Sequence, residues 1–426
     1  MIETPLTLPC GQVLPNRLAK AAMTEGLADP AGRPTAELEQ LYRVWGAGGC
    51  GVLLSGNVHI DADHLERPGN VIIDRPADAA MLEALRRWTA AAKAGGALFW
   101  AQISHAGRQT MAPVNPHPKA PSAVKLGLPG GQFGQPVALT GPEIDELIAR
   151  FAQAAAICAE GGFDGVQIHA AHGYLISQFL SPRANQRSDQ WGGSLENRAR
   201  FLLEVVRATR KAVPAGFAVT VKLNSADFQR GGFAFEDSLQ VAQWLEAEGV
   251  DLIEISGGTY EQPRLLGIEG MEPVERPGVA ESTLAREAYF VDFALAMKQA
   301  LKVPLMVTGG FRSKAAMEQA LVQGGADVIG LGRPLCAMPD GAAQLLAGAE
   351  RLPSTEQTLA LLPGWLGFLR GIKALRAMDS FAVQYWYYCQ IYALGRTGQT
   401  DLAKSVFSSV LEVEKTHKAW LKARRG

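Results

Sequence analysis

Three features of the sequence predict an α/β fold, a (β/α)8 TIM barrel. Eight short apolar runs alternate with longer amphipathic segments between about residues 17 and 335, the pattern of parallel βαβ units. The runs are continuously apolar rather than alternating, as strands covered on both faces require. The last two end in Gly309-Gly310-Phe311 and Gly332-Arg333-Pro334, a phosphate-site pattern expected after strands seven and eight of such a barrel.

The elements follow in order. The opening TPLTLPCGQVLPN alternates around a Cys10-Gly11 turn and predicts a hairpin plugging the barrel bottom. Strands are predicted in LAKAAM (18–23), GVLLSG (51–56), LFWAQI (98–103), GVQIH (165–169), AVTVKL (218–223), DLIEIS (251–256), PLMVTGG (304–310) and DVIGLGR (327–333). Helices are predicted over 35–47, 77–94, 141–161, 194–213, 235–248, 287–301 and 313–323, with apolar residues at period 3.6. Thr140, Ser194 and Ser313 mark helix starts, and Gly161, Gly249 and Gly324 mark stops. Residues 104–140 and 257–286 form long connections after strands three and six, on the face where barrel enzymes keep their pockets. The alternation stops near residue 345, so the barrel is assigned 1–345 and a C-terminal helical extension 346–426. Helices are expected there over 379–395 and 400–423, separated by Gly395 and Gly398. Phe381, Tyr385, Tyr388 and Tyr392 share one helix face. Such a stripe is more often packing surface than cofactor box, and packing against the barrel or another subunit is expected.

Composition narrows the class. Hydrophobic residues at 47% and charged residues at 19% describe a globular chain with a sizeable core. Forty-one basic and forty-two acidic residues leave a net charge of −1, which gives no electrostatic footprint for nucleic acid. Cys10, Cys50, Cys158, Cys336 and Cys389 are scattered, against a disulfide framework and against a zinc or iron–sulfur run. The start MIETPLTLPCG is unlike a signal peptide, and no apolar stretch reaches membrane-spanning length. A cytoplasmic protein is expected.

The densest chemical signal is His169-Ala-Ala-His172-Gly-Tyr174, directly after the fourth run. Side chains at strand ends on this face converge on the pocket, so two imidazoles and a phenol would meet there. A metal site would want further ligands at other strand ends, and none is evident.

Residues 169–203, HAAHGYLISQFLSPRANQRSDQWGGSLENRARFLL, resemble the signature of the old yellow enzyme family of FMN-dependent ene-reductases. The resemblance extends through PNRLAKAAMTEG (15–26), AQISHAGRQ (101–109), VTVKLNSADF (219–228), TGGFR (308–312) and GLGRPL (330–335), in order and on matching strand ends. It implies FMN as cofactor and NAD(P)H as reductant, with both substrates using one pocket in turn, so that a nicotinamide-binding Rossmann motif is unnecessary. Ala22, Met23 and Thr24 would lie along the flavin, Gly56 and Gln102 would meet its pyrimidine ring, and Lys222 would stand where the family carries a base, usually Arg. Gly309, Gly310, Phe311, Gly332 and Arg333 would cradle the phosphate. His169 and His172 would bind the carbonyl oxygen of an electron-poor alkene, and Tyr174 would protonate the α carbon. Arg183, Asn185, Arg187, Asp189, Trp191, Glu196 and Arg198 are family-typical and read as structural.

The sequence departs from the family at Gly26, where several relatives carry a pocket Tyr. With Glu25 beside it, a more open and more acidic pocket floor is expected. His105, Arg108 and Gln109 could line the pocket or lie on the surface. The implied function is an FMN-dependent oxidoreductase that uses NAD(P)H to reduce activated C=C bonds, possible as a homo-oligomer. Two alternatives remain open: a flavin barrel oxidising a small substrate, and a flavin-free phosphate-binding barrel acting as isomerase, aldolase or binding protein.

Overall fold

Each of the eight apolar runs forms a strand: β1 (Leu18–Lys20), β2 (Val52–His59), β3 (Leu98–Ser104), β4 (Gly165–Ala170), β5 (Ala218–Asn224), β6 (Leu252–Ser256), β7 (Leu305–Thr308) and β8 (Val328–Leu331). Every residue of these strands except Leu98 is buried, as continuous apolar runs demand. The computed structural model describes residues 1–128, 131–259, 261, 290–361 and 373–425. Adjacent strands are parallel, and β1 pairs with both β8 (Ile329 beside Leu18) and β2 (Ala19 beside Val52), which closes the barrel.

Around the barrel run α1 (Ala36–Gly46), α2 (Ala79–Lys93), α3 (Gly141–Glu160), α4 (Leu195–Ala212), α5 (Phe235–Ala247), α6 (Val291–Lys298) and α7 (Lys314–Val322). The start signals act as expected. Thr140 and Glu143 form a reciprocal capping box, and the Ser194 and Ser313 side chains accept from Asn197 and Ala316 backbone N–H. Apolar helix faces and outward strand faces share one core, which includes Trp45, Trp88, Phe99, Phe151 and Phe201.

The N-terminal hairpin pairs Leu6–Thr7 with Val13–Leu14 around Gly11 at φ 89°. Leu8 and Leu14 pack with Ala19, Val52, Trp100, Leu252 and Met306 inside the barrel, so the hairpin is its floor. Gln12 Nε2 donates to the carbonyls of Asp164 (2.5 Å) and Gly216 (2.8 Å) and fixes that floor in place.

Beyond the barrel lie α8 (Lys373–Thr397) and α9 (Val406–Arg425). Gly395 does not stop α8. It lies inside the helix, where a Cβ would come within 2.9 Å of the Glu37 carbonyl, so glycine permits close packing on α1. The stop falls at Gly398, with φ 75°. Three short helices, Leu175–Leu180, Pro334–Ala337 and Gly341–Leu346, were too brief for periodicity to reveal. Of the long connection at 257–286, all but 257–259 and 261 lies outside the described residues, as does the Phe381 side chain. No helix among the described residues is long and apolar enough to cross a membrane.

Leu14 is fully buried in the floor, so Leu14→Ala should cost about 3 kcal/mol through lost burial and a cavity. A lower urea midpoint with an unchanged m-value is expected. An unchanged midpoint would mean that the hairpin is not part of the cooperative core.

Candidate functional site

A cleft opens at the C-terminal ends of β1, β5, β7 and β8. Ala22, Met23, Thr24, Lys222, Gly309, Gly310, Phe311, Gly332 and Arg333 all line it. Its volume, measured to the centres of water-sized molecules, is about 180 Å³, far more than one water needs. Gly309 and Gly310 have φ of 136° and 82°, conformations that open this turn to glycine and close it to bulkier residues. Arg312 is held by Glu356 at 2.7 Å. Among the described residues Arg333 has no carboxylate within ion-pair distance, and its charge acts on Glu356 from farther off, so two guanidiniums share one carboxylate at the glycine-lined end. Positive φ at two glycines and this excess of cation fit a phosphate-bearing cofactor.

Gly56 and Gln102 do not line this cleft. The Gly56 N–H donates to Glu25 Oε1 (2.6 Å), and Gln102 Nε2 donates to Gln167 Oε1 (2.6 Å). The second bond begins a buried chain, in which Gln167 Nε2 donates to Glu254 Oε2 (2.8 Å) and Glu254 Oε1 lies 2.8 Å from Lys222 Nζ. Register explains the chain: Gln102 is paired with Gln167, and Lys222 with Glu254, on neighbouring parallel strands. Gln167 and Glu254 escaped the sequence reading. Polar residues inside otherwise apolar runs, GVQIH and DLIEIS, were the signal.

His169, His172 and Tyr174 form a second cluster. The His169 ring centroid is 5.2 Å from that of His172 and 4.7 Å from that of Tyr174. His172 has φ 60°, and its N–H donates to Asn224 Oδ1 (3.1 Å) while its Nε2 lies 2.7 Å from Ser256 Oγ. Burial holds both imidazoles well below the usual histidine range; the neighbouring His172 and the Lys222 charge add to this for His169, and the Lys222 charge for His172. Both rings are therefore neutral, able to donate hydrogen bonds without bringing a charge. The trio does not line the cleft itself. Lys222, which does, stands electrostatically beside both histidines.

The expected open, acidic floor at Gly26 is absent. Glu25 is buried in the barrel wall, where it accepts from Gly56 N–H and the Tyr42 hydroxyl. Gly26 has φ 68°, and the space a side chain would take is filled by the Arg67 guanidinium, 3.0 Å from an ideal Cβ. Thr24 Oγ1 donates to Glu66 Oε2 (2.7 Å). His105, Arg108 and Gln109 are buried rather than exposed: Arg108 pairs with Glu261 at 2.9 Å, and Gln109 Nε2 donates to the His172 carbonyl.

Asp61, His64 and His105 bring metal-ligand-type atoms within 4.8 Å of one another. His64 Nε2 accepts Lys119 N–H (2.8 Å) and His105 Nδ1 accepts Gly107 N–H (3.0 Å). The nitrogens facing Asp61 are His64 Nδ1, 3.2 Å from Oδ1, and His105 Nε2, 3.7 Å from Oδ2. Arg150 Nη1 approaches the same half-buried carboxylate at 3.2 Å, so its charge is already paired with a cation.

Sequence reading also missed the contribution of α8. Gln384, Tyr387, Tyr388 and Ile391 line the cleft, at the i, i+3, i+4, i+7 spacing of one helix face. Tyr388 belonged to the expected packing stripe. It packs on Arg67 and borders the cleft as well.

A model of the NADH:flavin oxidoreductase / NADH oxidase family matches residues 3–351. The NADH-dependent flavin oxidoreductase iliE of Hypocrea jecorina is 37% identical over 351 residues, covering 79% of this chain and 86% of the relative. The enzyme of that name from Neonectria sp. is 39% identical over 351 residues, and the chain, 79% covered, spans only 45% of its length. The NADH-dependent flavin oxidoreductase iccE of Talaromyces variabilis is 35% identical over 416 residues, covering 92% of this chain and 98% of the relative. Among solved structures, an old yellow enzyme homologue from Zymomonas mobilis has a TM-score of 0.68 at 25% identity, covering 82% of this chain and 93% of its own. Morphinone reductase gives 0.64 at 27% identity, covering 83% and 92%.

Five histidines, three buried and two half-buried, set a pH dependence. Burial pushes His59 down to about 3, His105 to about 4 and His417 to about 3, and holds His169 and His172 well below their usual value. The unfolded chain takes up these protons as pH falls through about 6.5, and the folded chain does not. Stability should therefore be full above about pH 6.5 and fall below it, each group contributing up to about 1.4 kcal/mol per pH unit. Urea unfolding at neutral and mildly acidic pH measures the slope, and His417→Gln should flatten it. A flat wild-type profile would show that these rings are charged in the fold.

Proposed function

The chain belongs to the NADH:flavin oxidoreductase / NADH oxidase family, and on that premise we propose that it is an FMN-dependent oxidoreductase. In this reading it takes electrons from NADH or NADPH and reduces the C=C bond of small α,β-unsaturated carbonyl compounds. Family membership sets aside the flavin-free phosphate-binding barrel. The observation that carries the finer reading is the pair of neutral histidines, His169 buried and His172 half-buried, beside Tyr174 and next to the Lys222 that lines the cleft.

Ala22, Met23, Thr24, Lys222 and the glycine-lined end with Arg333 would hold FMN, which when bound supplies hydride to the β carbon. His169 and His172 donate hydrogen bonds to the substrate carbonyl oxygen. These bonds strengthen as negative charge gathers there, so they favour the transition state over the ground state. Neutral rings suit this task, because a donor that is not charged does not hold the ketone's product as an ion pair. Ser256 orients His172, and the neighbouring His172 and Tyr174 rings confine His169. Tyr174 delivers a proton to the α carbon, completing the addition of two hydrogens across the bond.

Arg333→Ala should weaken FMN binding by about 2 kcal/mol, the scale of a charge-assisted bond, while leaving unfolding of the apoprotein nearly unchanged. FMN titration of the apoprotein measures it. Unchanged affinity would put the phosphate elsewhere.

Tyr174→Phe separates the two half-reactions. Flavin reduction by the nicotinamide needs no proton from this phenol, whereas enone reduction needs one at the α carbon. Stopped-flow should show the first step nearly intact and the second slowed by about a hundredfold or more. Equal slowing of both would reduce Tyr174 to a binding role. A wild-type enzyme that is not reoxidised by enones but is reduced by a small amine would favour the dehydrogenase alternative.

A further inference from the structure

The family match ends at residue 351, so it assigns no role to α8. We propose that α8 is the outer wall of the cofactor cleft, with Gln384 and Tyr387 as cofactor-contacting residues and Arg67 as the latch that holds the helix there. This rests on the FMN reading given above.

One face of α8 presents Gln384, Tyr387, Tyr388 and Ile391 to the same cleft that Gly309, Gly310, Gly332 and Arg333 border. The Tyr387 ring lies 6.0 Å from the Arg333 guanidinium carbon, over the end of the cleft where an anion fits. Its hydroxyl is fixed 2.9 Å from Thr355 Oγ1 and 3.3 Å from Glu356 Oε2. Glu356 in turn holds Arg312. Tyr387 is thus anchored at its polar end, with its apolar face left for the cleft, and Gln384 adds an amide one turn earlier. A cofactor with a polar chain and a phosphate needs both kinds of contact.

The latch explains why α8 sits there. Arg67 is only 4% exposed, yet among the described residues it has no carboxylate within ion-pair distance. Its guanidinium carbon lies 3.7 Å from the Tyr388 ring centroid, and Nη2 donates to Tyr392 Oη (2.8 Å) and lies 3.1 Å from His417 Nε2. Tyr388 and Tyr392 belong to α8, and His417 to α9. The same guanidinium fills the space beside Gly26, in the segment after β1. One buried cation therefore joins the rim of the cleft to both C-terminal helices through aromatic faces and neutral acceptors. A cofactor in this cleft meets α8 along one side, so its retention depends on that face.

The experiment is FMN binding and release by fluorescence in wild-type, Tyr387→Ala and Tyr387→Phe chains. Tyr387→Ala should raise the FMN Kd by about tenfold or more, mainly through faster dissociation, while Tyr387→Phe, which keeps the ring, should stay near wild type. A second measurement on the wild-type chain guards against a folding failure: amide hydrogen exchange over 384–391 should slow when FMN is added. A folded Tyr387→Ala chain with unchanged Kd and release rate, or exchange in α8 indifferent to FMN, overturns the inference and leaves the cofactor assignment intact. A wild-type chain that takes up no FMN at all overturns both.

Discussion

Strand β1 is three residues long, yet it pairs with β8 on one side and β2 on the other. The rest of the architecture depends on that double pairing. Closure in one parallel sense carries every strand's C-terminal end to the same rim, so that Thr24, His169, Lys222 and Arg333, spread over more than three hundred residues of sequence, meet within one region. Closure also removes sheet edges and creates an interior that must be filled. The hairpin does this from below, which leaves the upper layers free to be polar.

In those upper layers the charges within the barrel wall are matched there. Lys222 faces Glu254, and Glu254 is tied through Gln167 to Gln102. Lys20, pushed down to about 8 by burial, donates to the Leu54 carbonyl and the Tyr42 hydroxyl, behind which Glu25 sits. Lone charges here would cost several kcal/mol each. The histidines meet the same constraint by remaining neutral. Arg333 is the contrast, a cation at the cleft with no carboxylate within ion-pair distance among the described residues, its charge reaching Glu356 from farther off. Arg67 also lacks a carboxylate but is taken up by a phenol, a ring face and an imidazole, whereas the Arg333 guanidinium borders open space suited to a ligand's charge.

The sequence made the eight strands, their order and the helix caps legible, because apolar runs and Ser or Thr start signals are local. It also made most of the cleft legible, since glycines and Arg333 at strand ends carry their own logic. The surroundings of Gly56 and Gln102 were harder: their partners Glu25 and Gln167 are distant in sequence, and only closure and strand register bring them alongside. Gly395 read as a helix stop, because sequence cannot distinguish a glycine that ends a helix from one that lets α1 approach. The C-terminal stripe was legible as packing. Its cleft-facing neighbours Gln384, Tyr387 and Ile391 needed the helix to be docked before their face had an address.

Gly26 shows why a residue-by-residue comparison misleads when the missing side chain is replaced from elsewhere. Loss of a side chain at this position leaves room at the rim, and an unfilled space next to a polar cleft would collect water and loosen the wall. Arg67 fills it from the segment after β2. A guanidinium so deeply buried then needs acceptors that bring no full charge into the cleft, since a carboxylate there would repel an anionic ligand. Phenols, an aromatic face and a neutral imidazole meet that need, and this chain takes them from helices more than three hundred residues further on. The C-terminal extension and the glycine in the segment after β1 are therefore one structural solution: the glycine admits the cation, and the helices make its burial tolerable.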